Sequence, residues 1–157
     1  MLPTPRLSSL LTPHSFFLTL HSTMFNIRVY GILINENKIL LVEESVRDKR
    51  ILKFPGGGLE FGEGLVDCLR REFIEELQTE VFNIRHFYTT DFFVQSFLDP
   101  NHQVISIYYL VDADIATINY LIDETMQFLW MDINELKEEQ LVLPIDKHVL
   151  KMLKENS

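Results

Sequence analysis

The 157 residues suffice for one domain of ordinary size and are too few for two well-filled ones. Lys and Arg number 14 against 23 Asp and Glu, a net charge of −9 that argues against broad attraction to a nucleic acid backbone. No stretch reaches the ~18 apolar residues of a membrane span, and the single cysteine, Cys68, excludes an internal disulfide and fits an inert thiol in a reducing compartment.

Residues 1–23 differ from the rest: Arg6 is the only charge, and the segment has three prolines and no acid. Pro13 and His14 interrupt the apolar run a secretory signal needs, and Arg is too scarce for an organelle transit peptide. The expectation is a disordered or spurious extension ahead of a start at Met24, with the domain at 24–157.

From Phe25 the pattern becomes regular. Ile27, Val29, Gly31 and Leu33 alternate through to Ile34, Asn35-Glu36-Asn37-Lys38 supplies turn residues, and Ile39-Leu40-Leu41-Val42 resumes the apolar run, which predicts a β-hairpin. Ile51 to Phe54 is a further short strand that stops at Pro55.

Gly56, Gly57, Gly58, Gly62 and Gly64 then crowd into nine positions, giving a backbone able to approach a ligand closely. From Leu65 to Gln78 there is no Pro or Gly, and Val66, Leu69, Phe73 and Leu77 recur at the spacing of one helical face. At about 100° per residue, Glu72 and Glu76 lie about 40° apart and Glu75 about 60° from Glu72, so three carboxylates are expected on one surface. Carboxylates so close repel one another, and Arg71 offsets only part of that charge. Oxygen-only ligands suit Mg²⁺ or Mn²⁺, with substrate phosphates and water completing the shell. The plainer alternative is the solvated face of an amphipathic helix, and the adjoining glycine loop favours the ligand reading.

The order Gly57, five residues, Glu63, seven residues, then Arg71-Glu72-Phe73-Ile74-Glu75-Glu76 resembles the signature box of the Nudix hydrolases. Where the box continues with Gly and an aliphatic residue, this chain has Gln78 and Thr79, a departure at a helix C-cap that removes no ligand. The resemblance implies an α/β fold, a mixed sheet sandwiched between helices, with the box as its loop and helix. It further implies metal-dependent hydrolysis of the diphosphate linkage in a nucleoside diphosphate joined to another moiety, by water attacking phosphorus. Carried over by motif, Glu72 and Glu76 are the chief Mg²⁺ or Mn²⁺ ligands, Glu75 a ligand or the base, and Glu63 a weaker ligand. Arg71 holds a glutamate in place, and Gly57 and Gly58 let the loop take its shape.

After the helix, Val81 to Tyr88, Phe92 to Phe97 and Val104 to Val111 read as strands, the last two joined by a turn at Asp99-Pro100-Asn101-His102. Of Phe87, Tyr88, Phe92, Phe93 and Phe97, most are expected to fill a sheet core and one or two to be free to stack on a base. Asp112 to Thr125 reads as irregular and acidic, Met126 to Trp130 as the final strand, and Asp132 as the N-cap of a short helix in a segment similar to one in many Nudix enzymes. Glu124 stands where that family often keeps an extra acid. It is expected to complete the metal shell or to serve as base in place of Glu75, a solvated loop acid being the equal alternative. Pro144, Ile145, Val149, Leu150 and Leu153 predict a closing amphipathic helix.

The expected partner is a small nucleoside diphosphate derivative met in the cytoplasm, with no nucleic acid and no membrane, and with a homodimer left open. A catalytically inactive Nudix-fold nucleotide-binding or sensor module would be expected to lose box glutamates, and this chain keeps Glu63, Glu72, Glu75 and Glu76. A regulator's sensor domain would need a helix-turn-helix after Trp130, where too few residues remain. An isoprenoid diphosphate isomerase would be told apart by its product.

Overall fold

The structure, a computed structural model, describes residues 24–120 and 125–156. Strands β1 (Met24–Asn35) and β2 (Lys38–Val46) form the expected hairpin. Glu36 and Asn37, with φ of 47° and 63°, close it in the left-handed pair of conformations that matches strand twist. Arg47 and Asp48 repeat the device and lead into β3 (Lys49–Lys53). Then follow β4 (Gly56–Gly58), α1 (Leu65–Leu77), β5 (Val81–Thr89), β6 (His102–Ala113), β7 (Met126–Asp132) and α2 (Pro144–Glu155).

β1 is central. It runs parallel to β6, Met24 opposite His102 through Leu33 opposite Val111, and antiparallel to β4, Val29 opposite Gly57. β2 pairs antiparallel with β3 and β7, and β5 antiparallel with β6. The sheet is therefore mixed, and alternation along its strands feeds two cores. Val29, Leu33 and Leu40 pack with Leu69, Phe73 and Leu77 of α1. Tyr30, Ile32, Ile39 and Leu41 face the other way, toward Ile145, Val149, Leu150 and Leu153 of α2. This is the α/β/α sandwich. Burying Phe73 completely contributes about 1.5–3 kcal/mol, and Gly31 makes its seat: a Cβ there would lie 2.4 Å from the Phe73 ring.

Three segments depart from the sequence expectation. Phe92 to Phe97 is not a strand; its backbone pairs with the sheet at an isolated Gln95–Gln103 bridge. Side chains hold the backbone in other shapes there, with Ser96 Oγ accepting from Leu98 N at 3.2 Å and Thr90 Oγ1 both donating to Ser106 O and accepting from Ser106 N. Off the ladder, Phe92, Phe93 and Phe97 stay exposed, so among those aromatics only Tyr88 is buried, with Phe87 packed against the core. Asp132 opens a turn rather than a helix, accepting from Asn134 N at 2.8 Å, and the short 3₁₀ helix comes later, at Glu138–Gln140. β6 also runs on to Ala113, and a 3₁₀ turn at Ile115–Thr117 follows within the stretch read as irregular.

α1 ends at Leu77, and Gln78 takes the left-handed conformation, φ 51° and ψ 32°, with its N–H donating to Ile74 O. The expectation for residues 1–23 lies outside the described residues. Among the described residues no helix is long and apolar enough to cross a membrane.

Candidate active site

Pairing with β1 fixes β4, and packing of Leu69 and Phe73 fixes α1, so the glycine loop and the helix that follows it are held against each other by two independent anchors. Gly57 shows how close they come. A Cβ there would sit 2.3 Å from Glu72 Oε1, so only glycine leaves the carboxylate its place.

The four box glutamates divide into two groups. Arg71 gathers three: its guanidinium donates to Glu63 Oε1 at 2.8 Å, Glu63 Oε2 at 3.0 Å, Glu72 Oε1 at 2.9 Å and Glu75 Oε2 at 3.2 Å, and also to Gly58 O at 3.1 Å. The Glu72 and Glu63 side chains are only 13% and 14% exposed, against 58% for Glu75, so only Glu75 faces mainly water. Arg71 hydrogen bonds hold the Glu63 carboxyl down at about 2. Cys68 lies beneath, Sγ 3.4 Å from Gly58 O, its thiol pushed up to about 12 by burial first and the Glu63 charge second.

Glu76 belongs to the other side. It is buried, accepts from Gly56 N at 3.1 Å and faces Lys53. Burial pushes its carboxyl up to about 7 despite Lys53 and the Gly56 N–H, and the Glu72 and Glu44 charges push the same way. Lys53 Nζ pairs with Glu44 Oε2 at 2.8 Å and donates to Gly56 O at 3.4 Å. Burial works against its charge, but Tyr30, Glu44 and Glu76 outweigh that and keep it cationic.

The expected shared surface of Glu72, Glu75 and Glu76 is therefore split, because helical projection counts angle and ignores what each side chain finds at its end. Among the described residues no three acidic, His or Cys side chains are grouped so as to hold a metal ion. Arg71 stands among the carboxylates where part of that positive charge would be. The donors still suit a hard divalent cation. They are all oxygens, Glu72 is seated in a cradle that a Cβ would fill, and Glu76 is a buried acid short of positive charge. Glu124 lies outside the described residues.

Lys53, whose charge acts on Glu76, also lines a cavity of about 280 Å³ between the sheet and the start of α2, together with Arg28, Phe97 and Asp146 among others. Sequence reasoning missed Lys53, Glu44, Arg28 and Asp146. One signal was available, a lysine within the apolar run Ile51-Leu52-Lys53-Phe54, where an unpaired charge would be costly. Asp146 is wholly buried. Tyr108 donates its hydroxyl to Oδ1, while Oδ2 has no hydrogen-bond partner of normal geometry. Burial pushes this carboxyl up to about 7, offset in part by the Tyr108 hydrogen bond and the Lys53 charge.

Residues 24–153 match the profile of the NUDIX domain, and the chain belongs to the Nudix family. Nucleoside diphosphate-linked moiety X motif 6 from Homo sapiens is 30% identical over 139 residues, covering 80% of this chain and 40% of that protein. The protein of the same name from Mus musculus is 28% identical over 128 residues, covering 76% and 38%. This chain thus spans about two-fifths of the length of these curated relatives. The MutT NUDIX hydrolase from Burkholderia pseudomallei superimposes with a TM-score of 0.68 at 15% identity, covering 82% of this chain and 97% of that one. The E. coli ORF135 protein does so at 0.69 and 21%, covering 87% and 93%. At such identities the likeness establishes the fold, the mixed sheet between helices seen here.

Proposed function

We propose that this chain is a pyrophosphohydrolase that cleaves the diphosphate linkage of a nucleoside diphosphate joined to another moiety. The observation that carries the reading is the pairing of Glu72, seated against Gly57, with Glu76, buried against the Gly56 N–H, on either side of one glycine loop. A merely solvated helix face would leave both carboxylates in water. The name of the human and mouse relatives, nucleoside diphosphate-linked moiety X motif 6, supports the substrate class.

In this mechanism Glu72 and Glu76 hold Mg²⁺ or Mn²⁺, with Glu75 and Glu63 as further ligands. Bound there, such an ion supplies neutralisation of the diphosphate oxygens and a lowered pKa for water. Arg71 fixes Glu63 and Glu72 so that little reorganisation is left for the reaction itself. Glu75, the most exposed of the four, or Glu124 accepts the proton from the attacking water. The water oxygen bonds to phosphorus, the bridging P–O bond breaks, and the two fragments leave as phosphomonoesters. We take the domain as 24–157, supported by the match over 24–153, and the compartment as the cytoplasm, supported by the single buried thiol.

A screen of nucleoside diphosphate derivatives with Mg²⁺ tests the reading. Activity should vanish on chelation and return with Mg²⁺ or Mn²⁺; undiminished turnover after exhaustive chelation removes the metal from the proposal.

A further inference from the structure

Glu44 stands between two cations, and the charge of each also acts on one of the proposed metal ligands. Lys53 pairs with Glu44 at 2.8 Å and its field reaches Glu76, while Arg28 feels both Glu44 and Glu72. Register explains the closer pair. Val42 lies opposite Lys53 and Glu44 opposite Ile51, so Glu44 and Lys53 are diagonal neighbours on one face of the β2–β3 ladder, within reach of long side chains.

The two cations differ in freedom. Arg28 Nε is tied to the Tyr30 hydroxyl at 2.5 Å, whereas Lys53 carries a point charge on a flexible stem. Its side chain is only 8% exposed, so losing Glu44 would leave it largely without water as a substitute partner. Gly56 shows how near the alternative lies: its carbonyl accepts from Lys53 Nζ at 3.4 Å, and its N–H donates to Glu76 Oε2 at 3.1 Å. Pairing with Tyr30 of β1 holds Gly56 in place, so a change of partner requires movement of the lysine stem alone. A buried ammonium stripped of its carboxylate is costly, and a new pair with Glu76 offsets that cost.

Resting on the reading in which Glu72 and Glu76 hold a divalent ion, we propose that Glu44 is a positioning residue: it holds Lys53 away from Glu76 and so keeps that carboxylate open to metal. Without Glu44, the ammonium pairs with Glu76 and competes with the ion for the same oxygens. The restraint comes from β2, outside the loop and helix that carry the ligands.

Calorimetry of Mn²⁺ binding to the full chain at pH 8, read as a double-mutant cycle, tests this. Glu44→Gln should weaken Mn²⁺ binding at least about tenfold, and Lys53→Met should strengthen it at least about threefold. In the Lys53→Met background, Glu44→Gln should cost less than about threefold, because no ammonium is left to misplace. Such a rescue separates positioning from a merely structural role, which removing Lys53 would not repair. An equal loss in both backgrounds means that Glu44 acts through its own charge and overturns the inference, as does unchanged binding in Glu44→Gln. If Glu44→Gln fails to fold, Lys53→Met decides: binding no tighter than wild type overturns the inference. Hydrolysis is measured on the same wild-type sample. Mn²⁺ binding and turnover in wild type without coupling between Glu44 and Lys53 remove the inference and leave the hydrolase, whereas no Mn²⁺ binding by wild type removes the metal reading and the inference together.

Discussion

Glu63 and Glu76 belong to one loop and helix, yet the first holds its proton only below about 2 and the second up to about 7. On the clamped side a single guanidinium reaches Glu63, Glu72 and Glu75 and holds the Glu63 carboxylate in its charged form. On the buried side Glu76 has a backbone N–H and the field of Lys53, a cation already paired with Glu44. Residues of one type in one motif thus receive opposite electrostatic settings, and the difference comes from β2, β3 and β4 rather than from the helix that carries them. Preorganisation is strong on one side, and unmet demand for positive charge is concentrated on the other.

Removing that demand should have the largest effect. Glu76→Gln is expected to lower kcat by at least about 10³-fold, roughly 4 kcal/mol of barrier, while stabilising the metal-free chain at pH 8. The sign follows from its raised value, about 7 folded against an ordinary 4.5. The stability due to proton binding is complete below pH 4.5 and is lost as pH rises through 7, by on the order of 3 kcal/mol. Thermal melts across pH 4–8 should show that fall flattened in the variant. Some slope will persist, because Asp146 is raised for the same reason. Turnover near the wild-type rate in Glu76→Gln would erase the distinction between the two sides.

Next come the candidate bases. Glu75→Gln and Glu124→Gln, compared at saturating Mg²⁺, should part company: the base loses about 10²-fold in kcat, and the other acid stays within about threefold, under ~1 kcal/mol. Loss at Glu75 would make the clamped side chemical as well as positional.

Arg71→Ala should cost about tenfold in kcat and several degrees in melting temperature, since it leaves Glu63 and Glu72 partly buried without a counter-charge. Arg71→Lys should recover little of either, because an ammonium cannot span several carboxylates in one plane. Full recovery by Lys would reduce the clamp to charge alone.

Gln78→Gly gives the smallest effect. Gln78 holds φ 51° without glycine's freedom, so the change should add about 0.5–1 kcal/mol of stability, read as a small rise in melting temperature with kcat unchanged. A change in kcat there would mean that the helix end reaches the site.

The hairpin, the glycine loop and α1 were legible because each rests on local rules: turn residues, a run without glycine or proline, and apolar spacing of three and four. The box glutamates were legible as a set but not as two settings. Arg71 meets Glu63 eight residues away and Glu76 meets Gly56 twenty residues away, pairings that no helical projection contains. Phe92 to Phe97 misled for a related reason. Its aromatic composition suits a strand, but bonds of Thr90 and Ser96 set a different course, and the same departure freed Phe97 to border the cavity. Asp146 lies in the first turn of α2, and its burial depends on the sheet residue Tyr108, distant in sequence.

The parallel pairing of β1 with β6 has a consequence for biosynthesis. β1 cannot complete its central ladder until its partner emerges roughly 80 residues later, several seconds or more at about 5–20 residues per second. During that delay its hairpin with β2 can close, but an apolar strand edge stays open on the nascent chain. Expression yield should therefore respond to chaperone supply and to translation speed between β1 and β6 more than to changes in the finished core.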